Sequence, residues 1–594
     1  MNLLSALRRL RLPAAAVWLF LPSALVAAAG ADATALRLGV MRWFVTAFLF
    51  LILLSLLRRY VGRVAWILLL SAWSAYATLC ILLAAYQAQF GSPIDIGFVL
   101  ASPVDSLRTL LVEVGNFGAV LVLAGLFALM FFNGASLSIL ATNADDQKSR
   151  HTAIAALVLL LPAFFYLGAP HKMLLAEYAL SSLHTPIDVP PILADYSKFD
   201  LRGSGENVVL AQLESLNAIA VNGEMAVNGR AWNENYLPGT TKLRPRSIYF
   251  PYLWAHDVFT NHGQQSILCG VIRNFEPAYY HQSRPLGPCL PELFRRAGYK
   301  TVFLSSYPDG KFYNTDAFMK GVGFDDIRFA DFMQPSDPVT AWGYPEKIFL
   351  RRAYEYLHSR YKPDEKLFIY LAMCAHHAGF SRGTADDRSW FTAPSEQQID
   401  EYLASAKIQD SALVDLFDLN EKFVSGGRPT HLVVVPDHSF PLGLYGARMP
   451  QQGATIDNFL TTCLYIPPDS RRAEFAEGSK VEQIFGQSDL VPTIAELVTH
   501  KPHQNSFVPF IKTKPAPTEK YEPCQVMTQP YSGGFVSVAR GMHTYLYSMQ
   551  QHTITAYELT LHPIRQRELW VRRHVRFADF EAEYGCRRYR SAHP

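Results

Sequence analysis

The sequence predicts a multi-span α-helical membrane domain followed by an α/β domain, a mostly parallel sheet flanked by helices. Two observations carry this expectation. Apolar residues are concentrated before residue 171, in runs long enough to cross a bilayer. Beyond residue 206, short apolar runs bounded by polar residues alternate with stretches of helical spacing. At 594 residues the chain exceeds one compact domain, and a net charge of +3 leaves no electrostatic footprint for nucleic acid.

A hydrocarbon core of roughly 30 Å needs about 20 apolar residues of helix. Five segments meet that length, at 13–30, 40–57, 64–86, 116–138 and 152–170. Lys and Arg accumulate on the cytoplasmic side of such segments. Arg8, Arg9 and Arg11 precede the first, Arg58, Arg59 and Arg63 separate the second from the third, and Lys148 and Arg150 separate the fourth from the fifth. The opposite loops carry only Arg37 and Arg108. An odd number of spans with the N-terminus inside places everything after residue 171 outside. Reading the first segment as a cleaved signal peptide leaves four spans and the same outcome. None of the five carries an ionisable residue at mid-membrane depth, which disfavours a transporter. The expected organisation is a five-helix membrane domain at 1–170, a Pro-containing linker at 171–205 and an external domain at 206–594.

In the external part, Val208-Val209-Leu210-Ala211-Gln212-Leu213 has the form of a strand buried on both faces. Thr301 to Leu304, Leu367 to Leu371 and Leu432 to Val435 repeat that form. Pro291 to Ala297 reads as a helix closed by Gly298, and Glu346–Tyr361 and Tyr402–Phe423 show helical apolar spacing. In a sheet of this kind ligands gather at the carboxyl ends of strands. The first strand runs into Glu214-Ser215-Leu216-Asn217. The strand ending at Val435 passes through Pro436 into Asp437-His438, and the strand ending near Met373 runs into His376-His377. Carboxylates and imidazoles so placed are suitable ligands for a divalent ion such as Zn²⁺ or Mn²⁺.

The motifs VVLAQLESLN (208–217), HGQQS (262–266), LPELFRRAGYKTVFL (290–304), FYNTDAFMKGVGFDDI (312–327), AHHAGF (375–380), VVVPDH (433–438) and QSDLVPTIAELV (487–498) follow one another along the chain. In that order they resemble the membrane-anchored phosphoglycerol and phosphoethanolamine transferases of bacterial envelopes, such as lipoteichoic acid synthase. These belong to the alkaline phosphatase and sulfatase superfamily. Residues 539–563 resemble the superfamily's small C-terminal antiparallel hairpin.

The resemblance implies one divalent metal, Mn or Zn, held by Glu214, Asp437 and His438. Ser266 would stand in the place of the family's threonine nucleophile and complete the metal site. His377 would contact the phosphate or the leaving oxygen, and Tyr313, Asn314 and Asp316 would face the substrate. The implied reaction moves a phosphoglycerol or phosphoethanolamine headgroup from a membrane phospholipid to an envelope glycan or lipid hydroxyl, through a covalent phospho-enzyme. The implied location is the bacterial inner membrane, multi-pass, with the catalytic domain extracytoplasmic.

Several features depart from that pattern. Ser215, next to Glu214, is a rival nucleophile, with a helix-start role as the plainer reading. Thr315 stands where lipoteichoic acid synthases carry an arginine, which weakens the phosphoglycerol reading. Cys269-Gly270-Val271-Ile272-Arg273 has the cysteine-to-arginine spacing of the sulfatase formylglycine motif, so a membrane-anchored sulfatase or phosphodiesterase is the alternative. Cys269 is read instead as structural, with Cys289 as a candidate partner, and Cys374 and Cys463, in strand-like apolar runs, as candidate buried thiols. A catalytically inactive envelope scaffold or sensor is the remaining alternative.

Overall fold

The computed structural model describes residues 63–90 and most of the chain from residue 192 on; the longest segments outside that description are 1–62, 91–191, 219–225, 232–237, 273–287, 378–397, 441–458, 514–523 and 530–534. The chain divides into two compact units, residues 1–186 without 101–103, and 187–594 with them. In the first unit, helix α1 (Arg63–Phe90) runs through the third expected span. Among the described residues no helix is long and apolar enough to cross a membrane. The other four expected spans lie outside the described residues.

The second unit is organised by an eight-stranded sheet. Its strands are β1 (Asn207–Leu213), β2 (Ile248–Trp254), β3 (Lys300–Ser305), β4 (Asp326–Arg328), β5 (Leu367–Ala372), β6 (Thr430–Pro436), β7 (Leu460–Ile466) and β8 (Phe485–Gly486). Their spatial order is β8-β2-β7-β6-β1-β5-β3-β4. Only β7 runs against its neighbours β2 and β6; the other ladders are parallel. Successive residues of β1 serve opposite faces, as strand geometry requires. Val208 and Leu210 join one core, and Val209, Ala211 and Leu213 join the other. Each fully buried Val or Leu contributes roughly 1.5–3 kcal/mol, which fixes the register of the central strand.

Helices cover both faces. On the first lie α2 (Thr260–Cys269), α3 (Leu290–Arg296), α4 (Thr315–Val322) and α7 (Leu490–Thr499); on the second lie α5 (Glu346–Arg360) and α6 (Gln398–Ser425). The expected strands at 208–213, 301–304, 367–371 and 432–435 all fall within observed ones. Gly298, with φ 84, follows α3 in the left-handed conformation expected of a helix stop.

β2 was not foreseen, because Pro251 sits in its middle and removes a ladder donor. The structure accommodates it with a bulge: Thr461 pairs with Leu253 and Cys463 with Phe250, so Pro251 and Tyr252 face the single residue Thr462.

The C-terminal hairpin is an underestimate. Five antiparallel strands, β9 (Cys524–Gln529), β10 (Phe535–Arg540), β11 (His543–Ser548), β12 (Thr553–Leu561) and β13 (Ile564–Arg573), form one sheet in chain order. Helix α8 (Phe577–Tyr584) packs on it, and the Cys524–Cys586 disulfide ties its first strand to the segment beyond that helix.

Candidate functional site

Parallel pairing explains why distant carboxylates meet. Leu213 and Pro436 are opposite each other at the ends of β1 and β6, so Glu214 and Asp437 leave adjacent strands at the same height. A carboxylate oxygen of each and a ring nitrogen of His438 all lie within 4.8 Å of one another, and all three residues are buried. The His438 Nδ1 lies 2.9 Å from Ser439 O. A proton donated there leaves the Nε2 lone pair facing Glu214 at 3.5 Å and Asp437 at 3.8 Å.

Asp437 is held on every side. Its Oδ1 accepts from Ser215 N at 2.9 Å and His438 N at 2.8 Å, and its Oδ2 accepts from Gln212 Nε2 at 3.1 Å. Gln212 Oε1 in turn accepts from Tyr370 OH and Gln264 Nε2. Gln487, the first residue of the 487–498 motif, donates to the carbonyls of Pro436 and Asp437 at 2.8 and 2.6 Å. That motif therefore acts by bracing the backbone of a candidate ligand.

The electrostatics fit a cation. Burial, and after it the charge of Asp437, raise the Glu214 carboxyl well above the usual carboxylate range. Burial pulls the His438 imidazole down, but Asp437 and Glu214 outweigh it and raise its pKa. Two buried carboxylates this close need either bound protons or a metal ion between them. Two oxygen donors and one imidazole nitrogen match the ligand preferences of Zn²⁺ and Mn²⁺.

Ser266 is not brought to this cluster in the way the sequence suggested. The residue is 1% exposed, and its hydroxyl donates to Val271 O at 2.9 Å. The helix explains why. A Cβ on Gly263 would overlap Asp437 O, and Gln264 reaches Gln212, so these two residues mark the face of α2 turned to Asp437. Thr260, three and four residues earlier, shares that face. Ser266 lies roughly 120° round from Thr260 and about 9 Å further along the axis. Thr260 is half-buried and heads α2, where the helix N-terminus favours negative charge.

Ser215 is not at a helix start. It has φ 53, and its hydroxyl donates to Glu214 Oε1 at 2.6 Å and lies 3.3 Å from His438 Nε2. A non-glycine residue in the left-handed region is held there by its surroundings, and such residues cluster at functional sites. His377 is half-buried and its ring lies tilted against Trp342, with centroids 3.7 Å apart. Asn314, with φ 52, precedes α4, and Asp316 pairs with Lys311 in its first turn. Tyr313 lies outside the described residues.

The neighbouring His376 is fully buried, its Nδ1 lies 2.7 Å from Ser405 Oγ, and burial followed by the nearby His377 pulls it down to about 3. The folded protein keeps it neutral, whereas the unfolded chain protonates it below about 6.5. Its contribution is fully present above that pH and fades as the pH falls toward 3. Between pH 6.5 and 4.5 the loss should reach about 2–3 kcal/mol. Urea unfolding at pH 7 and 4.5 should show this loss in the wild type and a smaller one in His376→Asn.

Cys269 and Cys289 form a disulfide, so Cys269 is not a free precursor of formylglycine. Cys374 and Cys463 are free thiols. Closing a loop of 20 residues should stabilise the fold by about 3 kcal/mol. The double variant Cys269→Ser/Cys289→Ser should unfold at lower urea yet keep its turnover per folded molecule, which a formylglycine enzyme would not.

Residues 206–500 match the sulfatase family model. No curated protein matches the chain. Among solved structures, an alkaline phosphatase superfamily protein from Vibrio parahaemolyticus is 19% identical, covering 67% of this chain and 90% of that one with a TM-score of 0.48. The lipoteichoic acid synthase LtaP from Listeria monocytogenes is 17% identical, covering 64% and 90%, with a TM-score of 0.46. The integral membrane protein lipooligosaccharide phosphoethanolamine transferase A from Neisseria meningitidis is 14% identical, covering 80% and 97%, with a TM-score of 0.46. The mixed, mostly parallel sheet with its strand-end carboxylates lies within the family match: residues 206–500 form a sulfatase-family domain.

Proposed function

We propose that the chain is a metal-dependent phosphotransferase that takes a phosphoglycerol or phosphoethanolamine headgroup from a membrane phospholipid and passes it to an envelope glycan or lipid hydroxyl. The observation that carries this reading is the buried Glu214–Asp437–His438 cluster beneath the face of α2 that Thr260 heads. A divalent cation held by Glu214, Asp437 and His438 would lower the cost of an alkoxide and offset phosphate charge. Thr260 replaces Ser266 as the nucleophile in this reading, because helical phase puts residue 260 on the face of α2 that Gly263 and Gln264 turn to Asp437.

The Thr260 oxygen forms a bond to phosphorus as the bond from phosphorus to the diacylglycerol oxygen breaks. The threonine proton passes to solvent, and the departing diacylglycerol oxygen takes a proton from His377, which recovers one from the acceptor hydroxyl in the second displacement as Thr260 regains its own from solvent. The acceptor hydroxyl then displaces Thr260 and returns the site to its starting state. Asn314, Asp316 and Tyr313 are proposed to face the headgroup.

Location is part of the proposal. Two disulfides, Cys269–Cys289 and Cys524–Cys586, favour an oxidising compartment. Five N-terminal spans in the bacterial inner membrane would hold the extracytoplasmic domain at the lipid surface and raise the effective donor concentration. Hydrolysis by the same site is the second reading, since the superfamily fold serves both chemistries, and an inactive scaffold is a third.

The test is incubation of the full-length protein and Mn²⁺ or Zn²⁺ with headgroup-labelled phosphatidylglycerol or phosphatidylethanolamine and an envelope extract. Release of diacylglycerol with label on an acceptor supports the transferase. Label released only as a water-soluble headgroup phosphate identifies a hydrolase, and no diacylglycerol from either lipid overturns the donor assignment.

A further inference from the structure

Three loops at the strand ends carry the candidate ligands and imidazoles, and one side chain from α6 reaches all three. Tyr402 is fully buried. Its hydroxyl accepts from Asn217 N at 2.6 Å and donates to Ser215 O at 2.9 Å, bracketing the loop just beyond Glu214. Its ring stacks on Phe440, with centroids 5.1 Å apart and planes 18° from parallel. Phe440 lies two residues beyond His438, and its carbonyl accepts from Asn217 Nδ2 at 2.7 Å. The ring also lies against His376, at 4.8 Å between centroids, on the loop after β5.

We propose that Tyr402 is a positioning residue that presets the metal centre by locking the Glu214–Asn217 loop against the Asp437–Phe440 loop. The inference rests on the reading of Glu214, Asp437 and His438 as metal ligands. β1 ends at Leu213, so the polar backbone groups beyond it must find partners outside the ladder. Tyr402 supplies one to Ser215 O and one to Asn217 N. Between those two contacts Ser215 takes φ 53, the turn from which its amide reaches Asp437 Oδ1 and its hydroxyl reaches Glu214. Without the phenol, that turn loses the bonds on both its flanks, and a non-glycine residue has reason to leave the left-handed region. Both links to the ligand carboxylates then loosen together.

Tyr402→Phe tests this, because it keeps the ring against Phe440 and His376 and removes only the hydroxyl. Metal binding is read by calorimetric titration of the full-length, detergent-solubilised, metal-stripped protein with Mn²⁺ or Zn²⁺ alone. Partners outside the ligand shell typically change affinity by about 10–100-fold, and a rise of that size in the dissociation constant is expected. Ser405→Ala is the control. It removes another buried hydroxyl from the same helix, one that bonds to His376 and not to the ligand loop. It should lower the unfolding temperature of the metal-free protein about as much as Tyr402→Phe, yet leave metal affinity unchanged. Tyr402→Phe that binds metal like the wild type overturns the inference and leaves the metal site standing. Equal weakening by both variants also overturns it, as a general loss of stability. A wild type that binds neither ion removes the metal reading and this inference together.

Discussion

Asp437→Asn is expected to abolish metal binding and to cut headgroup transfer about a thousandfold or more, the equivalent of roughly 4 kcal/mol at the transition state. The substitution preserves volume and the backbone bracing by Gln487. It removes one of two buried charges on which a dication depends. Glu214 then ionises more readily, since the Asp437 charge is a cause of its raised pKa second only to burial. Metal content of the purified variant and diacylglycerol release check the two halves of the expectation separately. A variant that retained stoichiometric metal would show that His438 and Glu214 suffice.

The second large effect separates two hydroxyls on one helix. Thr260→Ala should remove transfer to the background level while metal binding and folding persist, because Thr260 is half-buried at the start of α2 and supports no core contact of the kind Ser266 makes. Ser266→Ala should do the reverse. Losing the bond to Val271 O should cost about 1 kcal/mol of stability, and turnover per folded molecule should stay near the wild-type level. Turnover measured at saturating metal, with urea midpoints alongside, resolves the pair. If Ser266→Ala were the inactive variant, the rotation of α2 inferred from Gly263 and Gln264 would be wrong.

Much of this site was legible because its ligands obey a strand-end rule. β1 and β6 are buried throughout and carry apolar runs at 208–211 and 432–435, so they could be read from hydrophobicity, and the residues that follow them are the clustered Glu214, Asp437 and His438. The same rule would have led to Thr260, six residues past the end of β2, had β2 been recognised. Pro251 hid that strand, and with it the hydroxyl. Nothing local in sequence distinguishes Ser266 from Thr260. The difference is a helical phase set by where glycine allows α2 to touch Asp437 O. Tyr402 was legible only as an apolar position of a helix, and its hydroxyl acquires a role through contacts 185 and 187 residues away. The C-terminal sheet was underestimated for another reason. Its last strand, β13, is exposed from Arg567 to Arg573 and rich in arginine, without the clean alternation that marks a half-buried strand.

The cleanest single readout is the site of covalent attachment after the acceptor is withheld. Full-length protein is mixed with headgroup-labelled phospholipid and Mn²⁺ or Zn²⁺, quenched in acid, digested and mapped by mass spectrometry. The label should sit on Thr260, and it should vanish when the metal is chelated or Asp437 is replaced by Asn. Label on Ser215 or Ser266, or label on Thr260 that survives metal removal, would contradict a hydroxyl activated over the Glu214–Asp437–His438 cluster.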